Sequence, residues 1–579
     1  MWFSGGQATA KAVTEQKQAE RERLIAAAPI NSLTPNHEQY LKAGAHEIVS
    51  QIEKGEWTAR QVVEAYIAQA VAAHRATNCV TEVLFDQALK RAEELDAQFA
   101  STKQLVGPLH GVPFSAKSQY DVANFDTTVG FTTWTNRPAE SNAVLIDQLR
   151  SLGAIGPIVK TNVPQTMLAF ECKNPLWGRS TNPYNDKYTC GGSTGGEGAL
   201  LAMDGSAIGI GSDIGGSLRI PAAYCGIYAL KPSFGRVTRG GTRSSNEGFE
   251  AVKAVAGPMT RNVKDLELFC QSIFGLPDDK QLDYSYVPMP YRTPALPKRL
   301  KFGYYTADGF AKAAPACRRA VSETIEALRR EGHECVEIEI PDTTEYLKTF
   351  LALVSADGFE RLIRPLGPDS MEPTLMLPVY GARIPYLIRK LAVWVCERFL
   401  GDSIFADLIR ASRVKSVAET VDWTAKRNNL NALFYEMVWN KYQLDGIICP
   451  VQAVPQIPHG GAAEVNSLVI STVLYNLVDC PVGNIPVTHV DATRDQLTEE
   501  WTSPPKSESR SVLIENRLYG GKEPMYDPVK MDGMPVCVQV VGRKWEDEKV
   551  IAMMSVVDDA LGGLDRGFGP RAFAGQVKS

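Results

Sequence analysis

From about residue 105 the chain breaks into short runs punctuated by Gly and Pro: GVPFSAK, AVLIDQLRSLGA, GPIVKTNV, EGALLAMDG and SAIGIGSD. Strand-length apolar runs alternating with helical segments argue for an α/β domain built on a mixed sheet. The same texture returns near the end, in DGIICPVQAVP, STVLYNLVDCPVGNIPVTHV and MPVCVQVVGRKWEDEKVIAMMSVVDDAL. The simplest arrangement is one domain whose sheet is completed from both ends of the chain. Residues 300–440 between these blocks read as largely helical, and residues 491–533, polar with several Pro and Gly, read as a long surface loop.

The first hundred residues look helical. Thr58 is an N-cap for TARQVVEAYIAQAVAAH, where Val62/Val63, Tyr66/Ile67 and Ala70/Val71 recur every four residues on one face. The earlier AVTEQKQAERERLIAAA is charged nearly all round, which predicts an exposed or partner-packed helix. We therefore divide the chain into an N-terminal helical extension, 1–57, and a single domain, 58–579, with a catalytic block at about 105–262.

Composition excludes several classes of function. With 44% hydrophobic and 22% charged residues, a net charge of −5 and no block of like charges, nothing suggests a nucleic-acid partner. The 11 cysteines are scattered without a C-x-x-C pair or a Cys/His cluster, so they read as free thiols in a reducing compartment. The N-terminus turns polar almost at once and lacks the apolar run of a signal peptide or membrane anchor.

The segment 190–226, CGGSTGGEGALLAMDGSAIGIGSDIGGSLRIPAAYCG, holds two glycine-flanked serines. Ser193 fits G-x-S-x-G, but that elbow follows a buried strand, whereas STNPYNDKYTC is a run of turn formers. Ser217 has the better setting. It follows the strand-like SAIGIGSD and the tight turn Asp213-Ile214-Gly215-Gly216, where successive N–H groups can converge on an oxyanion. None of the seven histidines (37, 46, 74, 110, 333, 459 and 489) lies in a recognisable catalytic setting. A lysine of lowered pKa is the remaining activator of a serine. Lys117, at the end of the apolar run GVPFSAK, is the candidate.

These features, with GPLHGVPFSAKS, KTNVPQTMLAFECKNPLWGRSTNP and LKPSFGRVTRGG, resemble the amidase signature family of serine hydrolases over about residues 60–560. The resemblance implies a large central, mixed, twisted β-sheet covered by helices on both faces. It also implies hydrolysis of linear amides without metal or cofactor. In it Lys117 is the base, Ser193 a bridging serine on a cis peptide, and Ser217 the nucleophile. The N–H groups of Ile214, Gly215, Gly216 and Ser217 form the oxyanion hole. Thr194 stands where a serine is frequent. Ser212, Asp213 and Arg219 are supporting residues, with an Asp213–Arg219 pair that a purely structural role would equally explain. Met167, Leu168 and Phe170 match a stretch that lines an acyl pocket, against the alternative of core packing.

Glu197 in GEGALLA points to the branch of fatty acid amide hydrolases and fungal acetamidase-type enzymes rather than to amidotransferase subunits. Residues 384–410, just after Arg383, mix Leu387, Ile388, Leu391, Trp394, Val395, Phe399, Ile404 and Phe405 with Arg389, Lys390, Arg398 and Arg410. In the fatty acid branch a similarly placed segment caps the active site at a membrane surface; core packing is the alternative. The substrate expectation is a hydrophobic acyl amide. Small amides, carbamates or esters are alternatives, as is an amidotransferase-like subunit that needs a partner or an α/β hydrolase using Ser193. The expected location is cytoplasmic, peripheral on an intracellular membrane if 384–410 meets lipid, and a homodimer stays open.

Overall fold

The computed structural model describes residues 2–30, 32–503 and 510–563. Its main sheet has eleven strands. In chain order they are β1 Val80–Val83, β2 Phe114–Lys117, β3 Val159–Thr161, β4 Ile208–Asp213, β5 Tyr228–Lys231, β6 Val255–Thr260, β7 Lys301–Tyr304, β8 Glu334–Glu337, β9 Gly446–Pro450, β10 Val482–His489 and β11 Pro535–Val541. Across the sheet the order is β1-β3-β2-β4-β6-β5-β10-β11-β9-β7-β8. β2 runs parallel to β3 and β4, β9 parallel to β7, and β7 parallel to β8; the other neighbours are antiparallel. The sheet is mixed, and its two sequence blocks meet where β5 pairs with β10.

The central strands β2, β4, β5, β6, β9, β10 and β11 are almost wholly buried, which is why they read as near-continuous apolar runs rather than alternating ones. One continuous hydrophobic core links the sheet to the helices. Thr58 caps the helix Ala59–Thr77 through a capping box with Gln61, each residue's side chain accepting from the other's N–H. The charged helix Trp2–Ala26 packs on the chain's own core: Lys17 Nζ lies 3.2 Å from Asp126 Oδ2, Arg21 donates to Val80 O at 3.0 Å, and Gln18 donates to Leu176 O at 2.7 Å.

Two expectations need correction. Residues 491–533 are not simply a surface loop, because the helix Val512–Tyr519 buries Ile514, Leu518 and Tyr519 and is anchored by Ser511 Oγ donating to Asp402 Oδ2 at 2.7 Å. Residues 384–410 are not one helical segment but two helices, Tyr386–Arg398 and Ser403–Ala411. The break falls where Gly401 takes φ +66 and Asp402 caps the second helix by accepting from Phe405 N–H at 2.7 Å.

Candidate active site

The site forms where β2 and β4 end side by side. These strands are parallel with Ala116 opposite Ile210, so Lys117 at the end of β2 meets the last residues of β4. Lys117 is entirely buried. Its Nζ lies 2.7 Å from Ser193 Oγ and 2.9 Å from Ser212 Oγ. Ser212 Oγ in turn donates to Gln119 Oε1 at 2.6 Å. Burial pulls the lysine down to about 7, even though Asp213, Cys172 and Glu197 push the other way.

The peptide bond between Gly192 and Ser193 is cis. Thr194 ties the two serine turns together: its N–H donates to Ser217 O at 3.2 Å and its Oγ1 to Ser212 O at 3.3 Å. Ser217 is half-buried and faces a cavity of about 600 Å³ together with Gly192, Ile214 and Gly215.

Behind the Ser217 turn sits Asp213. Its carboxylate accepts from Gly216 N–H at 2.8 Å and Leu218 N–H at 3.1 Å, and from Arg219 through Nε and Nη2, both at 3.0 Å. Burial alone would raise Asp213, but Arg219, Lys231 and Asn476 hold it well below the usual carboxylate range. Gly216 therefore has to be corrected out of the oxyanion set, since Asp213 already takes its N–H. The N–H groups of Ile214, Gly215 and Ser217 make no hydrogen bond among the described residues. Gly216 adopts φ +127, and a Cβ there would collide with Thr472, whose hydroxyl donates to Gly215 O at 2.6 Å.

Glu197 lies beneath Lys117 on the same sheet face. Its carboxylate accepts from Ser115 Oγ on β2 and from Thr161 Oγ1 on β3 at 2.6 Å; Thr161 is the register partner of Lys117. Gly209 on β4 leaves the space, because a Cβ there would strike Glu197. Burial raises Glu197 to about 7 against those hydrogen bonds.

Met167, Leu168 and Phe170 do line the cavity. Sequence reasoning missed Gln119, Thr472, Asn476 and Gln539. The last two bond Arg219 at 2.7 and 2.9 Å across more than 250 residues of chain, a distance over which no local pattern carries a signal.

The family model Amidase matches residues 61–551. The chain belongs to the amidase family. Among its amidase relatives, an acetamidase of Emericella nidulans is 33% identical over 548 residues, covering 90% of both chains. Fatty acid amide hydrolase 1 of Caenorhabditis elegans is 31% identical over 576 residues, covering 95% of this chain and 96% of the relative. A solved fatty acid amide hydrolase superposes with a TM-score of 0.79 at 29% identity, covering 96% of this chain and 90% of the other. The chain is thus an amide hydrolase.

Outside the site, the helices Pro373–Arg383, Tyr386–Arg398 and Ser403–Ala411 close over the amidase cavity. Leu387 is 76% exposed and Phe399 70%, with Tyr386, Ile388, Leu391 and Trp394 also outward. Arg389, counted from sequence among the basic residues of a surface segment, is instead buried, donating to the carbonyls of Ile409, Ser412, Gly381 and Ala382. Arg410 is held by Glu397 and Asp407. No helix among the described residues is long and apolar enough to cross a membrane.

Proposed function

We propose that this amidase cleaves linear, hydrophobic acyl amides through an acyl-enzyme on Ser217, working as a single catalytic domain over residues 58–579, of which 504–509 and 564–579 lie outside the described residues. The observation that carries the mechanism is the 2.7 Å contact between Ser193 and a lysine that burial pulls down to about 7, so that its neutral form is available near pH 7. Ser212 gives its own proton to Gln119, so toward Lys117 it can only accept. One Nζ hydrogen is thereby committed to Ser212, and in the neutral amine the lone pair is available to accept from Ser193 Oγ. Lys117 takes the Ser193 proton while Ser193 takes that of Ser217, and Ser217 Oγ bonds to the carbonyl carbon.

The free N–H groups of Ile214, Gly215 and Ser217 receive the oxyanion. On collapse the C–N bond breaks and the relay runs backward, putting the proton on the departing nitrogen as ammonia or amine leaves. Water then enters by the same relay and releases the acid. Carbamates and esters fit the same steps.

The substrate reading rests on the cavity. Met376, Leu377 and Tyr380 line it and are also exposed, so its mouth opens within the outward apolar helices. A mouth in such a surface suits delivery from a membrane, with Arg383, Lys390 and Arg398 as the basic fringe. The test is hydrolysis of primary amides from acetamide to oleamide, with and without liposomes, with Ser217→Ala as blank. Rates that climb with chain length and with vesicles support the reading. Rates that peak at short chains and ignore vesicles replace it with an acetamidase-type activity, which the Emericella nidulans relative favours by its name.

A further inference from the structure

Part of the cavity wall is carried by a turn whose backbone is costly. In Gln165–Met167, Thr166 has φ +67 and Met167 φ +62, both in the left-handed region. A β-branched residue is an outlier there, because its Cβ is crowded against a carbonyl oxygen. Such a conformation persists only where surrounding contacts over-determine it.

The contact that does so comes from Gln165, whose side chain is buried. Its Nε2 donates to Ser370 O at 3.0 Å, and its Oε1 accepts from Glu372 N–H at 2.9 Å. A carbonyl and an N–H two residues apart are what one edge of an extended segment presents to a parallel neighbour, and a side-chain amide carries the matching donor and acceptor. Pro373 follows at once and begins the helix Pro373–Arg383, which closes over the cavity. Apolar packing supports the same junction, since Met167 and Met371 both lie against the small cluster of Val129, Phe131, Val163 and Leu366.

On its other side the turn leads through Leu168 to Ala169 and Phe170, which also line the cavity. These two press so closely on Gly192 that a Cβ there would lie 2.9 Å from Ala169 O and 3.0 Å from Phe170 Cα. Gln165 thus ties the root of the cap to a segment that runs along the cavity wall as far as the peptide carrying Ser193. Gln165 itself does not line the cavity, so it acts through Met167 and Leu168.

We propose that Gln165 is a positioning residue that sets acyl-chain specificity: its two hydrogen bonds to the root of the cap helix hold Met167 and Leu168 where they contact the acyl chain. This rests on the acyl-amide reading above. Without the clamp, Thr166 and Met167 relax toward negative φ and the wall withdraws. A long acyl chain then loses dispersion contacts that a short chain makes in smaller number.

The experiment measures kcat/KM for lauramide and butyramide with the full chain, Ser217→Ala serving as blank. The ratio of the two is taken within one protein, so the folded fraction cancels. Gln165→Met keeps an unbranched side chain and removes both hydrogen bonds. Glu372 has φ −65, the value a proline ring imposes, so Glu372→Pro deletes the N–H from which Gln165 accepts without forcing that φ. Glu372→Ala keeps that N–H and removes the carboxylate, with its 2.8 Å contact to Lys173. The expected result is a wild-type ratio well above one that falls about ten-fold in Gln165→Met and in Glu372→Pro, falls no further in the double variant, and stays within about two-fold of wild type in Glu372→Ala. An unchanged ratio in Gln165→Met, an equal fall in Glu372→Ala, or losses that add in the double variant overturn the clamp and leave the acyl-amide reading intact. A wild-type ratio at or below one overturns both.

Discussion

Lys117 and Lys160 are both entirely buried lysines on neighbouring parallel strands, one register step apart, and they point to opposite faces of the sheet. Lys117 reaches Ser193 and Ser212, whereas Lys160 donates to Asp126 O at 2.7 Å and Thr127 Oγ1 at 3.1 Å. The same residue type in the same setting thus meets different partners, and substitutions at the two lysines separate the proposed catalytic effect from a structural one.

Activity should rise with pH through about 7, where burial has placed Lys117, and level off above it. An unperturbed lysine would instead put that limb near about 10.4. Lys117→Ala is expected to lower kcat by roughly 10²–10⁴, and more on an amide than on a matched ester, because only the amide needs its leaving nitrogen protonated. Lys160→Met should leave the limb where it is. A limb that moves in Lys160→Met but not with Lys117 changes would reverse the assignment.

The lowered Lys117 has a consequence for stability. Between about 7 and the ordinary lysine value the unfolded chain binds the proton and the folded one does not, so stability from this group is missing below about 7 and returns as pH rises. The deficit at pH 7 is on the order of 4 kcal/mol, at about 1.36 kcal/mol per unit. Lys117→Met should therefore unfold at a higher urea concentration than wild type at pH 7, with the gap closing toward pH 10. Equal midpoints at both pH values would show that the lysine is not held neutral.

Glu197 acts in the opposite sense. Its folded value is raised to about 7, so its contribution is complete below the ordinary carboxylate value and is lost as pH climbs through about 7. Glu197→Gln should flatten that slope in urea unfolding between pH 5 and pH 7.5. Gly209→Ala, which pushes a methyl into the same niche, should destabilise by about 1–3 kcal/mol.

Arg219 and Asp213 are both fully buried and form a two-bonded pair behind the Ser217 turn. Removing the arginine leaves an uncompensated carboxylate, so Arg219→Met should cost about 3–5 kcal/mol in chemical unfolding. Asp213 is depressed, so its contribution is present above the ordinary Asp value and drains away as pH falls toward its lowered one. In Arg219→Met that acid-side loss should be much reduced.

Leu387, Leu391 and Phe399 are exposed and do not line the cavity. Changing all three to Ser should leave kcat on a short, water-soluble amide as it was while weakening co-sedimentation with anionic vesicles. Undiminished vesicle binding would return these residues to ordinary surface.

The sequence by itself determined the local events. Strand-length apolar runs made β2, β4 and β10; the Thr58 and Gln61 pair started a helix; and the composition of 190–226 announced a tight turn after β4. Each depends on neighbours a few residues apart, where backbone preference and burial pattern act directly. A buried lysine was legible too, but GVPFSAK and GPIVKTNV both carry one, and nothing local says which faces the serines. The sheet register decided that. Tertiary contact alone brought Asn476 and Gln539 to Arg219, turned Arg389 inward and took Gly216 N–H for Asp213. Polar groups in a buried setting must find partners wherever the fold brings them, and those partners come from segments hundreds of residues away.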